Sequence, residues 1–122
     1  MNIPIISEEF TPTYTNQYSP GANLYSTQKV KIPSNTCKAI STGIKLAIPK
    51  GYFGKIECRQ SYEIIYNATI RTSIIHSDYR GTIYVLLQNN SKNKLTICPG
   101  DHIAQLLILP HIQATFTPTN EL

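Results

Sequence analysis

Apolar positions in this chain fall in short runs of period two, broken every few residues by Pro, Gly, Asn or Ser. Gln28 to Ile32 alternates polar and apolar and stops at Pro33, which has no N–H to give to a ladder. Cys37 to Ile48 reads as a pair of strands around Thr42-Gly43, and Pro49-Lys50-Gly51 as a turn. Thr82 to Gln88 alternates again. With the polar turn Asn89 to Asn93 and the strand Lys94 to Cys98 it predicts a β-hairpin with a long loop. Residues 1–21 begin with the apolar patch Ile3 to Ile6 and become rich in Thr, Tyr, Asn and Pro, as an arm followed by a loop would. Helical signals are almost absent, since no segment of useful length joins helix formers to a 3.6-residue period. The pattern predicts an all-β barrel or sandwich, and 122 residues suffice for a single core.

Composition narrows the function classes. At 41% apolar and 15% charged residues the chain is of ordinary globular make-up. The longest apolar block, Ile103 to Leu109, is interrupted by Gln105 and is too short to span a bilayer, so no membrane partner is expected. Met1 to Phe10 carries Glu8 and Glu9 and no basic flank, unlike a secretory signal. A soluble intracellular protein is expected, in the cytoplasm or nucleus of a host cell if the source is a virus. Cys37, Cys58 and Cys98 are far apart and lack C-x-x-C spacing; they read as small buried hydrophobes on strands, with no metal site. The net charge of +4 comes from Lys and Arg spread along the chain, which argues against a nucleic-acid stripe.

The most informative stretch is Ile74-Ile75-His76-Ser77-Asp78-Tyr79-Arg80-Gly81-Thr82, an apolar pair, a polar tip and an aromatic leading into an Arg-Gly turn. It reads as a loop on the rim of a sheet, and it resembles the third motif of the trimeric dUTPase family, G-V-I-D-x-D-Y-R-G, with His76 in place of the catalytic aspartate. The block Thr42 to Ile56 is similar to the family's T-G-V-x-x-x-I-P-x-G-Y-x-G-x-I at every fixed position in type. Pro20 to Ser26 resembles the first motif, A-G-x-D-L-x-S, with Asn23 for aspartate. Cys58-Arg59-Gln60-Ser61 falls on the second, P-R-S-G, and keeps only the arginine. Pro99 to Leu106 resembles the fourth, G-D-R-I-A-Q-L, with His102 for arginine. Nothing in residues 111–122 resembles the glycine-rich fifth.

The resemblance implies a distorted jelly-roll (β-clip) barrel and a homotrimer whose active sites draw on several subunits. It sorts the chain into an arm (1–18), one dUTPase-like domain (1–122) and a short tail (111–122). It also implies roles. In the family the third-motif aspartate orients the water that attacks the α-phosphorus of dUTP, and the first-motif aspartate helps hold hydrated Mg²⁺. An imidazole titrates near ~6.5 and can serve as a base, but its nitrogens must find the same water, and a misplacement of about 1 Å can cost roughly 10²-fold in rate. Asn23 removes a charge that Mg²⁺ favours, Gln60 and Ser61 crowd an approach that glycine leaves open, and Ser73 replaces a glycine that embraces the base. His76, Asn23 and Gln60 thus mark an altered catalytic set, while Arg59, Ser61, Ser73, Tyr79 and Gln105 mark a vestigial nucleotide site.

These substitutions favour a catalytically inactive dUTPase-fold protein, a viral regulator that binds host proteins and takes dUTP or dUMP weakly. Such a chain is comparable to a dUTPase-derived adenovirus early protein and needs no cofactor. The alternative is an active or weakly active dUTP diphosphatase, with Mg²⁺ and with His76 as the base.

Overall fold

The computed structural model describes residues 1–71 and 73–122. Among the described residues, eleven strands and one short helix follow one another. They are β1 (Ile5–Ser7), β2 (Ala22–Tyr25), β3 (Val30–Ile32), β4 (Thr36–Ser41), β5 (Ile44–Leu46), β6 (Tyr52–Cys58), α1 (Gln60–Tyr66), β7 (Thr69–Ile70), β8 (Ile74–Ile75), β9 (Tyr84–Asn89), β10 (Leu95–Ile97) and β11 (His102–Pro110). All pairings are antiparallel: a four-stranded sheet β2-β11-β6-β8, a three-stranded sheet β4-β9-β7, and the two-stranded pairs β1-β5 and β3-β10. The period-two pattern works as expected. In β9, Val85, Leu87 and Asn89 are buried while Tyr84 is exposed, and in β6 the buried set is Gly54, Ile56 and Cys58. These inward residues meet Leu24, Ile32, Ile40, Ile44, Ile97 and Ile103 in one core. Ile103 and Ala104 are buried in succession because the β11–β2 register slips between His102 and Ala104, as at a β-bulge.

Three features depart from the pattern. The strands on either side of Thr42-Gly43 do not pair with each other: β4 joins β9, and β5 joins β1. Between them the chain turns a corner at Gly43, whose φ of 68° suits glycine and whose Cβ position would lie 2.8 Å from Thr27 Cγ2. Second, β9 and β10 form no hairpin. The Asn89 side chain is fully buried; its Nδ2 donates to Ile32 O at 2.9 Å and to Asn93 O at 2.8 Å, and its Oδ1 accepts from Ser91 N and Oγ. That amide turns the chain out of the β9 sheet and delivers β10 to β3. Third, Gln60–Tyr66 is a helix. Its seven residues are too few for a helical period to show. It starts from the extended Arg59 and closes where Asn67 adopts a left-handed φ of 48° and Ala68 N–H donates to Tyr62 O at 3.2 Å. Cys58 is buried as expected, but Cys37 is half-buried and Cys98 exposed; all three are free thiols.

Candidate nucleotide site, split between two patches

The Ile74–Thr82 loop is held to the sheet through its backbone. Ile75 and Ile74 pair with Gly54 and Lys55 of β6, and Ser73 O accepts a hydrogen bond from Ile56 N at 2.7 Å. A turn at Ser77-Asp78 follows, in which Tyr79 N–H donates to His76 O at 3.1 Å. The Tyr79 ring then folds back over Gly81, where an added Cβ would stand 2.7 Å from its hydroxyl oxygen. The hydroxyl donates to Thr82 O at 2.7 Å. Glycine after Tyr-Arg is therefore a steric requirement of the aromatic lying over it. Arg80 Nη1 donates to Ser77 O and closes the loop tip. The loop walls a cavity of about 530 Å³, bordered by Ile75, His76, Tyr79, Arg80, Ile83 and Tyr84. His76 is exposed at its rim.

A second patch lies at the other end of the same sheet. Asn23, Gln105 and Glu57 are neighbours in register across β2, β11 and β6. Asn23 N–H donates to Thr13 O at 2.6 Å and its Nδ2 to Thr15 Oγ1 at 3.2 Å, so the loop before β2 holds the asparagine amide. Gln105 packs against Gly21, where a Cβ would collide with its Oε1. Arg59 follows β6 and precedes α1: its Nη1 donates to His102 O at 3.0 Å and its guanidinium lies 5.1 Å from the centre of the Tyr62 ring. Gln60, exposed, and Ser61, half-buried, form the first turn of α1 beside it.

The electrostatics of this patch reflect burial. Burial, then the Arg59 charge, lowers the pKa of His102 from the usual imidazole value, and its Nε2 is buried without a partner among the described residues. Its ring lies 6.0 Å from Tyr25, which in turn lies 6.1 Å from Phe10. The Cys58 thiol is pushed up to about 12 by burial and by Glu63 and Glu57, so it is no nucleophile at neutral pH. Burial also raises Tyr62, against the opposing pull of Arg59.

Sequence reading singled out eight site residues, and the structure divides them. Asn23, Arg59, Gln60, Ser61 and Gln105 belong to the second patch; Ser73, His76 and Tyr79 belong to the loop. Because β8 runs antiparallel to β6 from Lys55 back past Gly54, His76 lies at the level of Phe53, six residues before Arg59. At about 3.3 Å per residue that is roughly 20 Å along the strand. Within one copy His76 and Arg59 cannot meet at one phosphorus atom.

The dUTPase family model matches residues 8–122. This chain belongs to the dUTPase family. It is 38% identical over 96 residues to the deoxyuridine 5'-triphosphate nucleotidohydrolase of fowlpox virus, an alignment covering 79% of this chain and 66% of the relative. It is 37% identical over 101 residues to a probable enzyme of the same name in invertebrate iridescent virus 6, covering 83% and 34%. The corresponding protein of Ehrlichia canis is 35% identical over 115 residues, covering 91% and 75%. The chain thus spans about a third of the length of the iridescent virus relative and just under two thirds of the fowlpox one. Its fold is that of dUTPase from phage phi11 of S. aureus, with a TM-score of 0.91 at 19% identity over 100% of this chain and 98% of that one. Staphylococcus bacteriophage 80alpha dUTPase is similar at a TM-score of 0.91 and 18% identity, over 99% and 97%.

The resemblance to dUTPases implies Mg²⁺, and the residues present do not fit it. Asn23 offers a neutral amide already engaged by Thr15, the Asp101 carboxylate accepts from Cys98 N at 2.8 Å, and Glu57 is 3.0 Å from Lys55 Nζ. No group of three or more His, Cys, Asp or Glu converges among the described residues. No helix among them is long and apolar enough to cross a membrane.

Proposed function

We propose that this chain hydrolyses dUTP to dUMP and pyrophosphate at a site completed between copies, with His76 of one copy as the general base. The observation that carries this reading is the position of His76 on the rim of the loop cavity, next to Tyr79 and Arg80. In the reaction, water attacks the α-phosphorus and its proton passes to the imidazole. The α-phosphorus to bridging-oxygen bond breaks, and pyrophosphate leaves with the electron pair. Tyr79 and the backbone around Ser73 receive the nucleoside. Arg59, with donors beyond the Nη1 contact, and Gln105 face the phosphates from another copy. Sharing of this kind requires an oligomer, and a homotrimer fits both the family and the ~20 Å offset between the patches. No step runs through a metal.

The test is dUTP turnover by the unmodified chain, His76→Ala and His76→Asp. Turnover in the first, lost in His76→Ala by about 10²-fold or more and kept in His76→Asp, supports the reading. Turnover unchanged in His76→Ala removes His76 from it.

A second reading is favoured by the engaged Asn23 amide and by the exposed Ile64 and Ile65 of α1. In it the scaffold is an inactive viral regulator that serves to bind host proteins. Absence of turnover in all three proteins, together with a partner held through Ile64 and Ile65, is the result that favours it.

A further inference from the structure

The lysines that stand far apart along the sequence are partly gathered by the pairing of β3 with β10. In that antiparallel ribbon Lys31 lies opposite Thr96, and Ile32 opposite Leu95. Ile32, Leu95 and Ile97 are buried, so the alternation turns Lys29, Lys31, Lys94 and Thr96 outward, and all four are exposed. Continuing the register sets Lys94 opposite Pro33, diagonal to Lys31 at roughly 7–8 Å. Lys29 stands two residues from Lys31 in the other direction, about 6–7 Å along the strand. Lys92, also exposed, lies in the turn before β10. That turn is pinned to the end of β3: Asn89 Nδ2 donates to both Ile32 O and Asn93 O, and Ser34 Oγ donates to Ser91 O.

The chain has 11 Lys and Arg against 7 Asp and Glu, a formal net charge of +4. Without Lys29, Lys31, Lys92 and Lys94 the remaining cations and the carboxylates are equal in number, so the whole excess positive charge resides on this ribbon. No Asp or Glu lies in residues 28–41 or 79–100. Asp101, just beyond, is turned to Cys98 N at 2.8 Å, and the only ion pair among the described residues is Lys55–Glu57. None of the large apolar side chains exposed on the molecule belongs to β3, β10 or the turn before β10. That composition selects the partner. Protein interfaces are poor in lysine and rich in aromatics, basic segments hold a membrane firmly only with an apolar or acyl anchor, and unpaired bases need aromatic faces to stack on. A DNA duplex asks only for cations and short hydroxyls aimed at its phosphates. We infer that the β3–β10 ribbon is a docking surface for double-stranded DNA, which it holds through phosphates by Lys29, Lys31, Lys92 and Lys94, without regard to base sequence. The surface shares no residue with the loop cavity or the Arg59 patch, and the proposed hydrolysis uses none of its side chains.

The probe is a fluorescein-labelled DNA duplex of about one helical turn, roughly 10 base pairs, titrated with the full chain by fluorescence anisotropy over a series of salt concentrations. Four phosphate contacts predict that log K falls against log salt with a slope of about −3.6, and that a duplex of different sequence binds equally well. Lys31→Gln and Lys94→Gln each lower the slope by about one. Lys45→Gln removes the same charge from an exposed position on β5 and is expected to leave the slope unchanged. All three positions are exposed, and an unaltered thermal midpoint shows that the variants are folded. An equal loss in Lys45→Gln would make net charge rather than this ribbon the cause and overturn the assignment. So would the absence of salt-dependent binding, tighter binding of a single strand of the same length, or binding to anionic phospholipid vesicles in preference to the duplex. The readout is DNA binding, so it stands or falls apart from dUTP turnover.

Discussion

His102 ties the chemistry of the second patch to its stability. Its Nε2 is buried without a partner among the described residues, and burial with the Arg59 charge lowers its pKa in the folded chain. The unfolded chain, with an ordinary imidazole near ~6.5, therefore binds the proton more readily. The stabilisation is fully present above that value and is lost as pH falls through the lowered folded value. A urea-unfolding series from about pH 7.5 to about pH 5 should show the midpoint falling. The same series on His102→Phe should show a flatter dependence; an equal slope would remove His102 as its source. Arg59 illustrates how little a motif letter says about a side chain's duties. It matches a phosphate-side position, yet part of its guanidinium holds His102 O and covers Tyr62. Tyr79 likewise secures its own loop while lining the cavity.

At the scale of elements, β6 organises the molecule, because β11 and β8 flank it and its two ends carry the two patches. Gly54, within it, has side chains close around its Cα. A Cβ there would lie 3.1 Å from Ile48 Cδ1 and Leu106 Cδ1 and 3.2 Å from Ile75 Cβ. Gly54→Ala is expected to cost about 1–3 kcal/mol by overpacking, read as a lower thermal midpoint, and to loosen β8 and the His76 loop with it. Asn89→Ala leaves Ile32 O and Asn93 O without their buried donor and should cost about 1–3 kcal/mol; an unchanged midpoint would deny the amide its role. These two residues also show what the sequence could reveal. The I-P-x-G-Y-x-G-x-I block around Gly54 was legible because its spacing is fixed by packing within contiguous chain. Asn89 was not, because a polar residue after an alternating run looks like a surface turn, whereas its buried partner Ile32 O lies on β3, 57 residues away in sequence. For the same reason β9 and β10 were expected to pair and instead join different sheets. Helix α1 was invisible because two turns hold no period.

At the scale of the whole molecule, the all-β architecture was legible, but the division of the eight expected site residues into two patches was not. Motif spacing along a chain says nothing about which end of a strand each motif reaches. Lys31 and Lys94 had no sequence signal as a pair, since only the pairing of β3 with β10 brings them to one face. The segment 111–122 is exposed throughout, with Ile112 at 94% and Phe116 at 90%. Apolar side chains so displayed are consistent with contact between copies. Sedimentation of the purified chain should therefore give a trimer, and Ile112→Ser with Phe116→Ser should shift it toward monomer. A stable monomer in the unmodified protein would leave the shared site without its second half.

The most direct test of that shared site is complementation. His76→Ala and Arg59→Ala chains, each folded and each deficient in dUTP hydrolysis alone, are mixed, unfolded and refolded together. If His76 and Arg59 serve one site from different copies, some mixed assemblies hold an intact pair, and turnover rises well above that of either parent. A mixture no more active than its parents, beside an active unmodified chain, would place both residues' duties within one copy and contradict the account.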